Sequence, residues 1–225
     1  KAFSRHFGEL ESAADYQLVA VKDRRLPVDM ADISNLDGQS RLRTGEDRQA
    51  MFALGNQLWH TDSSFKSVPA KYSLLSARRI PDTGGDTEFA DMRAAYDALD
   101  AATKTLIEDM VCEHSLIYSR ALLGFADFKP DELTMFAPVR QRLVRTHPVT
   151  GRKSLFLAAH IGGIAGWPRP RALQLIRDLT EHGLQRQFVY RHKWATGELV
   201  IWDNRGTMHR GRRHDETAPR ERRRA

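Results

Sequence analysis

The sequence predicts a mainly β domain with flanking helices, α+β in class, built on a β-sandwich or jelly-roll core. Three observations predict it. Short apolar or alternating runs of about four to eight residues, closed by Gly, Pro, Asn and Asp, recur through the second half. Helical patterns are inserted among these runs rather than alternating with them, which argues against a parallel βαβ sheet and suits a sandwich or jelly roll. The length, 225 residues of which 41% are hydrophobic, fits a single domain around one core.

Residues 2–10 read as a helix ending near Gly8, and 18–34 as irregular or weakly extended chain broken by Pro27. QLWHTDSSF (57–65) reads as a strand or strand end, and KYSLLSARRI (71–80) as a strand stopped by the turn-rich PDTGGDT. DTEFADM (86–92) is a short strand running into a helix with Asp91 as N-cap. Thr103 or Asp100 caps a second helix, TKTLIEDMV. The stretch 118–140 is loop-like. RQRLVRTHPVTGRKSLFL (140–157) reads as two strands around HPVTGRK. PRPRALQLIRDLTEHG (168–183) is the clearest helix, apolar at Ala172, Leu173, Leu175, Ile176 and Leu179, with Gly183 as its C-cap. Three strands follow: QRQFVYRHKW, GELVIWDN after a Thr196-Gly197 turn, and PRERRRA.

Composition narrows the class. Charged residues make up 28% of the chain, ordinary for a folded soluble protein, and no apolar run approaches the ~20 residues that cross a bilayer. The single cysteine, Cys112, cannot form an internal disulfide, so a reducing, cytoplasmic setting is expected. The net charge of +6 is local. Between His209 and Ala225 seven arginines oppose Asp215, Glu216 and Glu221, a surplus of +4, which leaves +2 for the rest. That segment lacks interleaved aromatics and any nucleic-acid reading motif, and equally well surrounds a small anion with cations. No nucleic-acid or membrane partner is expected.

His60-Thr61-Asp62 places two metal-ligand types at i and i+2, on one face if the chain there is a strand. A second histidine would complete the facial triad of non-haem iron oxygenases, leaving positions open for cosubstrate and dioxygen. HxD alone also reads as a surface histidine beside a turn-forming aspartate. Candidates for the second histidine are His114, His147, His160, His182, His192, His209 and His214. His147 precedes a turn proline and His182 ends a helix; His209 follows the apolar ELVIWDN. Arg220 and Arg224 lie eleven and fifteen residues beyond His209. An arginine fork suits the distal carboxylate of a metal-bound 2-oxo acid, and another suits an acidic substrate. Arg220, Arg222 and Arg224 would share one strand face, unless the run is simply a solvated basic terminus.

HTD at 60–62, GGDTEF at 84–89 and WDNRGTMHRGRR at 202–213, followed by PRERRRA, resemble the Fe(II)/2-oxoglutarate dioxygenases of the taurine dioxygenase family. NQLWHTDSSF, GGDTEFADMRAAYDAL, LVRTHPVTGRKSLF and FVYRHKWATGELVIWDNRGTMHRGRR are most similar to the branch acting on 2,4-dichlorophenoxyacetate. The resemblance runs from about residue 2 to the end. It implies a double-stranded β-helix (jelly roll) and a single dioxygenase domain over 1–225, lacking an N-terminal segment and the last C-terminal residues. It further implies that His60, Asp62 and His209 bind Fe(II). Thr87 would hydrogen-bond the distal carboxylate of 2-oxoglutarate and Arg220 would pair with it. Arg224 would hold the acidic end of the substrate, Asn56 would line that pocket, and Trp202 would pack near the iron. The implied reaction consumes O2 and 2-oxoglutarate, hydroxylates an aryloxyacetate, and yields a phenol, glyoxylate, succinate and CO2. A homo-oligomer acting on a small anion is implied as well.

The alternatives are the same chemistry on a sulfonate, alkyl sulfate or other small carboxylate and, more distantly, a non-catalytic metal-binding jelly roll or a nucleic-acid module. Arg222 departs from the family pattern, which has an apolar residue there. Three arginines facing one cavity repel one another, and an unpaired buried cation is expensive, so the terminal strand is expected to be displaced or frayed.

Overall fold

In the computed structural model, which describes residues 1–12, 24–45 and 47–225, the terminal strand is the seam of the largest sheet. β1 (Ala31–Ser34), β12 (Glu221–Arg224), β2 (Tyr72–Arg79) and β10 (Leu199–Asp203) lie in that order, all antiparallel. The expectation of a frayed last strand is therefore wrong. β12 has a neighbour on each side, and every backbone group buried there needs those ladder partners. A register shift between Glu221 and Arg222 against β2 adjusts its alternation.

A second sheet, β11 (Thr207–Gly211), β3 (Thr87–Asp91) and β9 (Val189–His192), is also antiparallel. Leu75, Ala77, Phe89, Trp194 and Trp202 pack between the two sheets. Along β3 the strand period sends Phe89 into that layer and Ala90 the other way, into the larger cluster. There Ala90 and Met208 meet α3 (Met92–Asp97) and the Ala172–Ile176–Leu179 stripe of α7 (Arg169–Gly183). The same cluster takes in β4 (Val111–His114), β6 (Val144–Thr146), β7 (Lys153–Leu155) and β8 (Ile161–Ile164). β4 pairs with β8 and with β5 (Val139–Arg142), while β6 and β7 form a hairpin. The result is the expected mainly β jelly roll with helices on its outside. No helix among the described residues is long and apolar enough to cross a membrane.

Several elements follow the sequence signals closely. Asp91 accepts from the Arg93 and Ala94 amides and starts α3; Asp100, not Thr103, caps α4 (Ala101–Ile107). Gly151, at φ +69°, closes the β6–β7 turn. Others differ. α1 spans only Ala2–Arg5. The strand proposed over 57–65 reduces to a single bridge at His60, after α2 (Arg48–Ala53) and a 3-10 turn at Leu54–Gln57. The loop-like 118–140 contains most of α5 (Leu116–Ala121) and all of α6 (Pro130–Met135), each too short for the apolar period to repeat. Gly183 is not a left-handed cap; it is the last residue of α7, where a Cβ would meet the Met92 methyl at 3.0 Å. Of the stretch 18–34, residues 18–23 lie outside the described residues.

Candidate active site

His60 and His209 face each other across an isolated antiparallel bridge, His60 N–H to His209 O at 2.9 Å and His209 N–H to His60 O at 2.8 Å. Directly opposed residues project to one face, which brings the ring centroids to 4.3 Å. Between His60 and Asp62, Thr61 points the other way and donates to the Leu157 carbonyl. Asp62 therefore returns to the histidine face, 3.7 Å from Nε2 of each ring. One ligand atom from each of His60, Asp62 and His209 lies within 4.8 Å of the others. His60 Nδ1 donates to the Leu58 carbonyl at 2.7 Å, which leaves Nε2 with a free lone pair toward Asp62.

A chain of hydrogen bonds holds the carboxylate. Ser73 donates to Asp62 Oδ2 at 2.7 Å, Asn204 Nδ2 donates to Ser73 Oγ at 2.8 Å, and Trp202 Nε1 donates to Asn204 Oδ1 at 3.0 Å. The β2–β10 register supplies this arrangement by pairing Ser73 with Trp202. Trp202 also packs on His209, ring centroids 4.7 Å apart. Arg224 donates to Asp62 Oδ1.

All three ligand-type residues are buried. Burial lowers the His60 pKa and, together with the neighbouring His60, takes His209 down to about 3. Burial alone would raise the Asp62 carboxyl, but Arg224, His209 and His60 outweigh it and hold the group below the usual carboxylate range. Two neutral imidazoles and one ionised carboxylate are the donor set a borderline divalent cation takes, and they occupy one side of it. The residues fit the implied iron.

Two cavities adjoin this centre, and Asn56 lines both. The larger, about 300 Å³, is bordered by Arg224, Arg120, Phe52, Phe65, Ala53 and Leu36 among others. Arg120 is buried against Gly55 and the Phe52 ring, its charge 4.2 Å from the ring centroid. His160, bonded to Ser119 at 2.9 Å, lies edge-on to Phe65 and to His60. The smaller, about 150 Å³, is lined by Arg220, His214 and Gly211. Thr87 is adjacent on β3, and its hydroxyl oxygen accepts from Trp194 at 3.0 Å and from Arg222 at 3.4 Å; no bond to Arg220 is present. Arg222 faces inward and is 0% exposed, on the Trp194 ring and the Gly85 carbonyl. Burial and the nearby Arg220 bring it down to about 8.

The arginine-rich segment thus divides in two. Arg223 pairs with Glu221, and Arg210 and Arg212 pair with Glu88, whereas Arg220, Arg222 and Arg224 turn inward. Sequence reasoning missed Ser73, Asn204, Arg120 and Trp194, and offered His160 only as a possible metal ligand, whereas it packs beside His60. Ser73 sits in an ordinary strand and Arg120 in a stretch that reads as loop, while Asn204 and Trp194 fall inside quoted motifs that do not reveal their hydrogen-bond roles.

A family profile described as "Taurine catabolism dioxygenase TauD, TfdA family" matches residues 1–225. The chain is 45% identical, over all of its length and 78% of the relative's, to the alpha-ketoglutarate-dependent 2,4-dichlorophenoxyacetate dioxygenase of Cupriavidus pinatubonensis (strain JMP 134). It is 38% identical to the (S)-phenoxypropionate/alpha-ketoglutarate-dioxygenase of Sphingobium herbicidovorans, over 97% of this chain and 74% of that one. Among solved structures it is similar to AAD-2 in complex with Mn(II) and N-oxalylglycine, with TM-score 0.97 and 55% identity, covering 100% of this chain and 78% of that one.

Proposed function

The chain belongs to the taurine catabolism dioxygenase TauD, TfdA family of alpha-ketoglutarate-dependent enzymes, and from that premise we propose that it cleaves aryloxyacetates such as 2,4-dichlorophenoxyacetate. One observation carries the substrate class: Arg224 joins the buried His60–Asp62–His209 cluster to a cavity that also presents the Phe52 and Phe65 rings. An aryloxyacetate needs a cation for its carboxylate and an apolar wall for its ring, and this cavity offers both.

His60, Asp62 and His209 hold Fe(II), which with bound 2-oxoglutarate supplies oxygen activation and hydroxylation of the carbon beside the ether oxygen. The residues around it orient and exclude water. Arg220 and Thr87 receive the distal carboxylate of 2-oxoglutarate. Arg224 holds the substrate carboxylate and Asn56 borders the place where the two ligands meet, so the carbon between carboxylate and ether oxygen is presented to the histidine–aspartate face. Trp202 and Phe89 close the inner side of His209 against solvent. The hydroxylated product is a hemiacetal that separates into a phenol and glyoxylate, while 2-oxoglutarate leaves as succinate and CO2.

Residues 1–225 act as one catalytic domain in this reading, supported by the sheet that sets strands from residues 31–34, 72–79, 199–203 and 221–224 side by side. The buried, unpaired Cys112, its thiol pushed up to about 12 by burial, supports a cytoplasmic setting. Family resemblance supports a homo-oligomer, which light scattering on the purified protein checks directly.

The test is aerobic turnover of the Fe(II)-loaded protein with 2-oxoglutarate and, separately, 2,4-dichlorophenoxyacetate, taurine and an alkyl sulfate. Succinate released in step with 2,4-dichlorophenol supports the reading, and His60→Ala abolishes both. Succinate coupled only to the sulfonate or sulfate overturns the substrate class.

A further inference from the structure

Arg222 is wholly buried, yet no carboxylate of the described residues lies within ion-pair reach of it. Asp86, whose charge acts on Arg222, is held by Arg191 at 2.6 Å, and Glu221 is taken by Arg25, Arg79 and Arg223. In the same corner three buried donor or acceptor nitrogens have no partner: Nε of Arg220, Nε of Arg222 and Nε2 of His214. Two neighbouring cations without a counter-charge, Arg222 wholly and Arg220 partly buried, are costly unless an anion joins them.

The geometry says where that anion sits. Thr87 is paired with Gly211 across β3 and β11, and opposed side chains share a face. Gly211 has no side chain, and the position its Cβ would take is 3.9 Å from an Arg220 guanidinium nitrogen. The Thr87 hydroxyl and the Arg220 fork therefore converge on the small cavity that Gly211 and Arg220 line. A hydroxyl oxygen has two acceptor sites and one hydrogen. Trp194 and Arg222 both donate to Thr87 Oγ1, so its hydrogen is left for an acceptor outside the pair.

We propose that Arg222 is a positioning residue for the distal carboxylate of 2-oxoglutarate: from behind the pocket it fixes the Thr87 hydroxyl as a donor and adds a second positive charge to that of Arg220. This corner then selects 2-oxo acids that end in a carboxylate. The inference rests on the dioxygenase reading above.

Calorimetric binding to the Mn(II)-loaded protein tests it, comparing 2-oxoglutarate with 2-oxopentanoate, which has the same chain and no distal carboxylate. The wild type prefers 2-oxoglutarate. Arg222→Leu reduces that preference by about tenfold, leaves 2-oxopentanoate binding unchanged, and keeps or raises the melting temperature, because an unpaired buried cation has been removed. Arg222→Lys gives an intermediate preference, and Arg222→Met carries the comparison if the leucine variant does not fold. Because Arg222 acts through Thr87, adding Thr87→Val to Arg222→Leu costs less than the two single losses combined. A preference in Arg222→Leu within about twofold of wild type overturns the proposal, and so does strict additivity. A wild type with no preference overturns the dioxygenase reading and this inference with it.

Discussion

Ser73 gives Asp62 a fixed hydrogen-bond donor, 2.7 Å from Oδ2, and is itself held by Asn204. A carboxylate ligand with one oxygen pinned in this way keeps its orientation when a cation binds, so the serine works through the aspartate and touches no substrate. Ser73→Ala is expected to weaken Fe(II) or Mn(II) affinity by about 10–100-fold while leaving the fold intact, since the hydroxyl is small and the neighbouring β2 ladder is unaffected. Metal titration followed by competition with a chelator reads the loss; an unchanged affinity removes Ser73 from the site. The ligands themselves were legible in HTD and in the histidine after WDNRGTM. Ser73 was not, because what gives it meaning is the cross-strand register with Trp202, a long-range pairing.

At the scale of elements, the Gly84-Gly85 turn between β2 and β3 shows why a glycine pair stands in that motif. Both have positive φ, +73° and +77°, and Gly85 N–H bonds the Arg213 carbonyl at 2.8 Å. A Cβ on Gly84 would press into that same carbonyl oxygen, which is backbone and cannot step aside. Gly151 also has positive φ, +69°, but nothing lies within 4 Å of its Cβ position. Gly151→Ala therefore carries only the conformational cost, about 1 kcal/mol, whereas Gly84→Ala adds overpacking of roughly 1–3 kcal/mol. Urea melts of the two variants check this, and equal losses would rule out the clash. The turn matters beyond stability, because the Gly85 carbonyl is what Arg222 holds.

For the whole molecule, the buried neutral histidines make stability depend on pH. His114 is not one of the proposed iron ligands; it lies beside Phe156 and is bonded to Ser64 at 3.1 Å, with Nε2 unpartnered. Burial, and then the charge of Arg145, takes its pKa down to about 3, against about 6.5 in the unfolded chain. Between those values the unfolded state binds the extra proton. The contribution is therefore complete above about pH 6.5 and is lost progressively as pH falls toward about 3, at up to about 1.4 kcal/mol per pH unit. Chemical denaturation at about pH 7.5 and about pH 5.5 should show His114→Gln losing roughly 1 kcal/mol less than wild type over that interval. Parallel losses in the two proteins would place the pH dependence in other groups.

What the sequence determined by itself was local: caps at Asp91 and Asp100, the β6–β7 turn, the long amphipathic α7, and a set of ligand and cation residues whose types and spacings specify their chemistry. Period and turn chemistry act over a few residues, so they survive in a linear string. Tertiary structure alone decided that β12 lies between β1 and β2 and is held rather than frayed, that His60 and His209 meet across a bridge, and that the terminal arginines divide between outer ion pairs with Glu88 and Glu221 and an inward set of which Arg224 meets Asp62 while Arg220 and Arg222 meet no carboxylate among the described residues. Those outcomes depend on which distant strands pair and in which register. A one-residue slip there turns every side chain to the opposite face, and nothing in the few residues around Arg222 fixes that choice.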